Sequence, residues 1–329
     1  MVNAIERSKQ GSEHRSALLG AMKLCDASKL TWCIIPEQEL DLKTAEGFKL
    51  LIFPGVFHIT DDLRSVLESY VSKGGIITAS DESGSYDSSG FVLENFSTAV
   101  LYGCDFIEKE LRFKNNPWGS YLQLKSDYWT GSPDTYPPVS ETHQRIKAVT
   151  CDTLAHFVEP ATAVTNDNWV NWWSPPPSKV TIDPAITLNH YGKGKVIFAA
   201  FDMFRMQNKG FNLIKDIFSK ILNNSIKAPS IELETEYPGT VNYVCYDRKV
   251  KKEIVVHQLC DLAEKTGGDA PYVSGGMLRI SKAYKNSLLS ARLVYPEVIA
   301  LDICSGGEEC YHIKLPDFNI HQVISIKYS

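Results

Sequence analysis

The chain has 329 residues with 43% hydrophobic and 22% charged residues, the balance of an ordinary water-soluble protein long enough for two or three domains. Its formal net charge of -5 excludes a polyanion as the main partner, because nucleic acid demands a concentrated basic face, and the longest basic run, Arg248 to Lys252, is broken by Val250. No apolar stretch reaches the roughly 18 residues of a membrane helix and no secretory leader is legible, so a soluble, cytoplasmic protein with no membrane partner is expected.

The opening third alternates helix and strand. Ala17, Leu18, Ala21, Met22 and Cys25 form an apolar stripe that predicts a helix over Ser12 to Leu30. Thr31 to Ile35 reads as a strand ending at Pro36, and Glu37 to Glu46 as a connection containing a short helix. Leu50 to Phe53 is a buried strand, broken by Pro54 and Gly55. The next helix is spelled out at both ends. Thr60 is the N-cap, Asp61 and Asp62 place negative charge at the positive end of the helix dipole, and Gly74 is the stop. Ile76 to Ala79 is a second strand, followed by the polar loop Ser80 to Asp87. This β-α-β unit predicts a doubly wound, mostly parallel sheet, flavodoxin-like or class I glutamine amidotransferase-like, with a right-handed crossover. Ligands of such sheets bind at the carboxyl ends of strands. The loops to inspect are therefore residues 54–58 and 81–87.

From Phe91 to Ser140 the alternation stops. Trp118, Tyr121, Tyr128, Trp129 and Tyr136 make this insertion too aromatic for a linker, so it either packs on the body or forms a binding lip. Glu141 to Pro160 reads as mixed, with an amphipathic piece near Leu154. In NDNWVNWWSPPP, Trp169, Trp172 and Trp173 form either a sugar-stacking platform or a cover over a core edge or interface. Ala185 to Leu188 and Val196 to Phe201 are strands joined by a turn at His190 to Lys195, and Gly210 to Leu222 is a helix with Phe211, Ile214, Ile217, Phe218 and Ile221 inward. The α/β domain is expected over residues 1–228, with its aromatic insertion around 91–180.

Beyond Pro229 the period shortens to about two. VNYVCYD, EIVVHQLCD, GGMLRIS, SARLVYP, VIALDICS, ECYHIKLP and QVISIKYS recur between turn residues, predicting a small antiparallel β-sandwich over residues 229–329. The eight cysteines contain no C-x-x-C pair and are expected to be free thiols in a reducing compartment. Cys304 and Cys310 flank a Ser-Gly-Gly turn and are placed to face each other across a hairpin.

The candidate ligand-binding residues are Gly55, His58, Asp81, Glu82, Tyr86 and Asp87 on the two strand-end loops, with Trp172 and Trp173 from the aromatic segment. The acidic loop is either a sugar- or cation-binding element, a carboxylate pair for hydrolysis, or a strand-end loop whose Asp81 caps backbone N–H groups. Asp202 ends a strand at the same sheet edge, with Arg205 placed to pair with it. The histidines show no metal-ligand spacing. No metal and no cofactor are called for.

Three segments together carry a resemblance: LLIFPGVFHITDDLRSVLESYVSKGGIITASDESGSYD, NHYGKGKVIFAAFDMFRM and the sandwich beginning at EIVVHQLCD. They resemble the amidotransferase-like trimerisation domain and β-sandwich found behind the catalytic barrel of bacterial β-galactosidases and related glycoside hydrolases. In that family the hydrolytic carboxylates lie on the upstream barrel, and Met1 to Gln10 is too short for one strand-helix unit of it. The resemblance thus implies a non-catalytic module with no catalytic residues of its own, acting in oligomer assembly and in shaping a carbohydrate site. Its implied partners are further copies of itself, a glycosidase barrel and a carbohydrate. Class I glutamine amidotransferases place a Cys nucleophile after the strand matching Ile76 to Ala79 and a His-Pro-Glu near the late strand. Here Ser80-Asp81-Glu82 and Phe201-Asp202-Met203 stand there instead, so amidotransferase activity is not expected. The alternative is a free-standing glycoside hydrolase or carbohydrate-binding protein using the Asp81 to Asp87 loop.

Overall fold

A computed structural model describes residues 9–28, 30–111, 120–129, 131, 135–139, 142–161, 176–211, 213–226, 230–236, 241–260, 271–307 and 309–329. The chain divides into two units, residues 1–24 with 34–226 and residues 25–33 with 227–329.

Helix α1 (Lys9–Ala27) is followed by an exposed stretch, not by the strand expected at Thr31 to Ile35. Its apolar run finds no partner strand, and strand propensity without cross-strand neighbours does not hold a strand. A short α2 (Leu42–Ala45) precedes β1 (Leu50–Phe53), α3 (Asp61–Ser72) and β2 (Ile76–Ser80), and β1 pairs with β2 in parallel as expected. The Thr60 side chain accepts a hydrogen bond from the Leu63 N–H at 3.2 Å, and Leu63, Leu67, Tyr70 and Val71 form the buried face. At the other end Gly74 takes φ +113°, a conformation open to glycine alone at low cost.

Next come α4 (Ala99–Tyr102), β3 (Cys104–Leu111), β4 (Ser120–Leu124), β5 (Pro138–Val139), β6 (Thr142–Ala148), β7 (Asp152–Pro160), β8 (Pro177–Tyr191) and β9 (Gly194–Ala199). They complete a seven-stranded sheet of order β1-β2-β9-β8-β7-β4-β5, while β3 and β6 form a separate two-stranded ribbon. Only β1, β2 and β9 run parallel; the pairs from β9 to β5 are antiparallel. The mostly parallel sheet of the sequence reading is therefore corrected to a mixed one. The cause is connectivity, because β8 and β9 are joined by a tight turn, which permits only antiparallel pairing. Glu141 to Pro160, expected as mixed, holds the strands β6 and β7 instead. Helices α5 (Met203–Asn208) and α6 (Leu213–Ser225) close the unit, α6 burying Ile214, Ile217, Phe218, Ile221 and Leu222. At Gly20 of α1 an added Cβ would lie 1.7 Å from the Phe204 carbonyl oxygen, so the close approach of α1 to α5 requires glycine.

The second unit carries β10 (Ile231–Glu234), β11 (Val241–Arg248), β12 (Glu253–Cys260), β13 (Met277–Ser281), β14 (Leu288–Tyr295), β15 (Ile299–Leu301), β16 (Ile303–Gly306), β17 (Cys310–Lys314) and β18 (His321–Tyr328). They form two antiparallel sheets, β10-β13-β17-β16 and β11-β12-β18-β14-β15. Their inward residues, among them Val256, Leu278, Ile313 and Ile324, make one apolar core, the arrangement of a β-sandwich. Inside it the Gln322 amide donates to Gln258 Oε1 at 2.6 Å and the Gln258 amide to the Gly275 carbonyl at 2.6 Å. Cys304 stands opposite His312 and Cys310 opposite Gly306, so the two thiols are not cross-strand partners. Among the described residues no helix is long and apolar enough to cross a membrane.

Candidate functional site

The loops after β1 and β2 are laced together by backbone bonds. The Gly84 N–H donates to the Val56 carbonyl at 2.9 Å and the Tyr86 N–H to the Phe57 carbonyl at 3.0 Å, and His58 and Tyr86 form a parallel bridge. Ser83 adds a side-chain tie, its hydroxyl accepting from the Val56 N–H at 3.1 Å and lying 2.8 Å from the Ser80 carbonyl. Gly55 turns with φ +60° and its carbonyl accepts from His14 Nδ1 of α1 at 3.0 Å. The two strand-end loops are thus tied into one seam.

Asp81 sits in the sharp turn after β2 with φ +54°, a left-handed conformation that Asp and Asn enter more easily than other non-glycine residues. Its N–H donates to the Ala199 carbonyl at 2.8 Å, which fixes the turn against β9. Gln144 of β6 approaches the carboxyl, Nε2 to Oδ1 3.4 Å. Burial, followed by the neighbouring carboxylates of Asp202 and Glu82, holds the Asp81 carboxyl well above the usual range, and Lys109 and Arg205 offset this only in part. Burial and the neighbouring carboxylates thus make this carboxyl hold its proton more tightly than a free one does.

Glu82 is clamped from two sides. Its Oε1 accepts from the Tyr86 hydroxyl at 3.0 Å and from Lys109 Nζ of β3 at 2.5 Å. Asp87 does different work, its Oδ1 accepting from the Ser89 and Phe91 N–H groups at 2.8 and 2.9 Å, the local turn that Asp forms readily. Asp202 caps α5 by accepting from the Arg205 N–H at 2.8 Å, and its other oxygen lies 2.6 Å from Arg205 Nε. Arg205 continues to Glu13 of α1 at 2.9 Å. Burial raises the Asp202 carboxyl, and Arg205 pulls it back.

Six of the eight residues singled out in the sequence, Gly55, His58, Asp81, Glu82, Tyr86 and Asp87, therefore meet at one sheet edge. Trp172 and Trp173, with Trp169, lie outside the described residues. The Asp202–Arg205 pair forms as expected. Lys109, Gln144, Glu13 and His14 were not foreseen, and only their contacts from elsewhere in the chain reveal them. Asp81 at 8% and Glu82 at 4% exposure sit inside the sheet edge that their contacts brace.

Residues 33–227 match the family model described as the beta-galactosidase trimerisation domain. No curated protein matches the chain in sequence. Among solved structures, alpha-L-fucosidase isoenzyme 2 from Paenibacillus thiaminolyticus aligns with TM-score 0.74 at 16% identity, over 95% of this chain and 45% of that one. A beta-galactosidase from Bacillus circulans sp. alkalophilus aligns with TM-score 0.62 at 14% identity, over 98% and 39%. A catalytic mutant of a GH42 beta-galactosidase from G. stearothermophilus aligns with TM-score 0.60 at 13% identity, over 99% and 38%. At such identities the likeness is one of fold, and the chain spans less than half the length of each of these proteins.

Proposed function

Because the chain belongs to the beta-galactosidase trimerisation domain family, we propose that it works as a non-catalytic assembly unit through which copies of a glycoside hydrolase associate. The observation that carries this reading is the match of residues 33–227 to that family. The seam around Asp81 supports it: buried charges tied to their own chain rigidify a surface and leave little polar capacity for a substrate. The parallel corner β1-α3-β2 with β9 is the part that favours an amidotransferase-like core. In that core the turn holding Asp81 would stand where the related enzymes carry their thiol. A cytoplasmic setting belongs to the same reading, on the spacing of the eight cysteines.

The test is size-exclusion chromatography with light scattering on the whole chain, with and without a glycosidase barrel protein. A species of three times 36.8 kDa, or a defined complex with the barrel, is the expected result. A strict monomer with no affinity for a barrel protein overturns the proposal. Retained binding of galactosides by such a monomer would point instead to a carbohydrate-binding role.

A further inference from the structure

One cluster of chemically capable side chains lies on the outer face of the four-stranded sheet of the second unit, and the proposed assembly role makes no use of it. Register places Arg279 of β13 and Cys304 of β16 on either side of His312 of β17. In the neighbouring row Cys310 stands between Ser281 and Gly306. The His312 ring crosses from one row to the other. Its Nε2 lies 3.3 Å from the Cys310 Sγ, and a Cβ added to Gly306 would fall 2.5 to 2.8 Å from three atoms of that ring. Gly306 therefore leaves the space that lets the imidazole reach the thiol. Arg279, beside the imidazole, holds Glu234 at 2.6 Å. A groove of about 520 Å³ runs past the imidazole, lined among others by Asp302, Cys304, His312 and Lys314.

Nucleophile and base within hydrogen-bond reach is the geometry by which a thiol is activated. We propose that Cys310 is a base-assisted thiol and a site of covalent modification by small electrophiles, peroxides above all, with His312 Nε2 receiving its proton. The step balances without a further reagent. The S–H proton passes to Nε2, the sulfur electron pair attacks one peroxide oxygen, and the O–O bond breaks. The departing hydroxide takes the proton from the imidazolium and leaves as water. Sulfur is oxidised to the sulfenic acid and the peroxide is reduced.

Exposure alone would rank the thiols differently, since Cys33 and Cys304 are exposed and Cys310 is half-buried. The experiment measures, on the whole chain, the rate at which each cysteine is alkylated by limiting iodoacetamide, by peptide mass spectrometry, and separately the capture of sulfenic acid by dimedone after hydrogen peroxide. Cys310 is expected to react first, about tenfold faster than Cys304, and to carry the dimedone adduct. His312→Ala should bring Cys310 down to the rate of Cys304 while leaving Cys33 unchanged. Gly306→Val, which displaces the ring and keeps both reacting residues, should do the same. The Cys33 rate and a thermal melt report on folding in each variant. Reaction in order of exposure in the wild type, or an unchanged Cys310 rate in both variants, overturns the proposal.

Discussion

Lys109 Nζ on the β3–β6 ribbon lies 2.5 Å from Glu82 Oε1, so a cation whose side chain is 45% exposed neutralises a carboxylate whose side chain is 5% exposed. Removing the cation leaves a charge in the interior with one neutral donor, Tyr86, still bound to it. Breaking a fully buried pair costs about 3 to 5 kcal/mol, and the exposed end of Lys109 lowers that figure. Lys109→Met should therefore destabilise the first unit by about 2 kcal/mol in urea unfolding, and Tyr86→Phe by about 1 kcal/mol. An unchanged midpoint for Lys109→Met would remove the clamp from the stability of this edge.

Asp81 gives a pH signature of definite sign. Its carboxyl is raised on folding by burial first and by Asp202 and Glu82 next. The folded state thus binds the proton more tightly than the unfolded chain, whose carboxyl titrates near pH ~3.9. Stability contributed by the protonated group is present at low pH and is lost as pH rises through the raised value. Asp81→Asn keeps a side chain suited to φ +54° and removes the titration. The variant should be more stable than wild type at pH 8, with the difference shrinking toward pH ~4. A variant less stable at pH 8 would contradict the assignment.

Arg205 joins Asp202 to Glu13 of α1 at 2.6 and 2.9 Å, and its own side chain is largely buried. Arg205→Leu should cost about 3 kcal/mol, because two carboxylates lose their partner at once. Asp202→Asn retains an oxygen to cap α5 and should cost less. Hydrogen exchange would locate the effect: α1 and α5 should open together in Arg205→Leu. Opening confined to α5 would argue that Glu13 does not fasten α1.

In the sandwich, the Gln258–Gln322 amide chain is a buried polar element within an apolar core. Gln322→Leu leaves Gln258 Oε1 without its donor and should cost about 1 to 3 kcal/mol. The double variant with Gln258→Leu should cost less than the sum of the two single changes, as a double-mutant cycle in guanidinium would reveal. Strict additivity would mean that the two amides act independently.

What could be read in advance was local. Thr60, the two aspartates after it and Gly74 announce α3 on a few adjacent residues, and the strands of the second unit stand out by alternation between turns. β6 and β7 are not legible because Glu141 to Pro160 alternates poorly, β6 being held by β3 in the ribbon and β7 by β4 and β8 on its two sides. The site was legible only in its near half. Asp81, Glu82 and Tyr86 are sequence neighbours, whereas Lys109 is 27 residues from Glu82 and Gln144 is 63 from Asp81. Separations of that length leave no local mark. They also decide how the loop is held: its buried carboxylates are tied to partners far along the same chain.

The contacts of α1 bear on where a cut through this chain can fall. The family match begins at residue 33, yet Glu13, His14 and Gly20 reach Arg205, the Gly55 carbonyl and the Phe204 backbone. A fragment trimmed to the matched boundary would strip a helix from the fold and uncover an arginine, a turn and an apolar helix face. A fragment that keeps these contacts therefore has to start upstream of the piece that is recognisable.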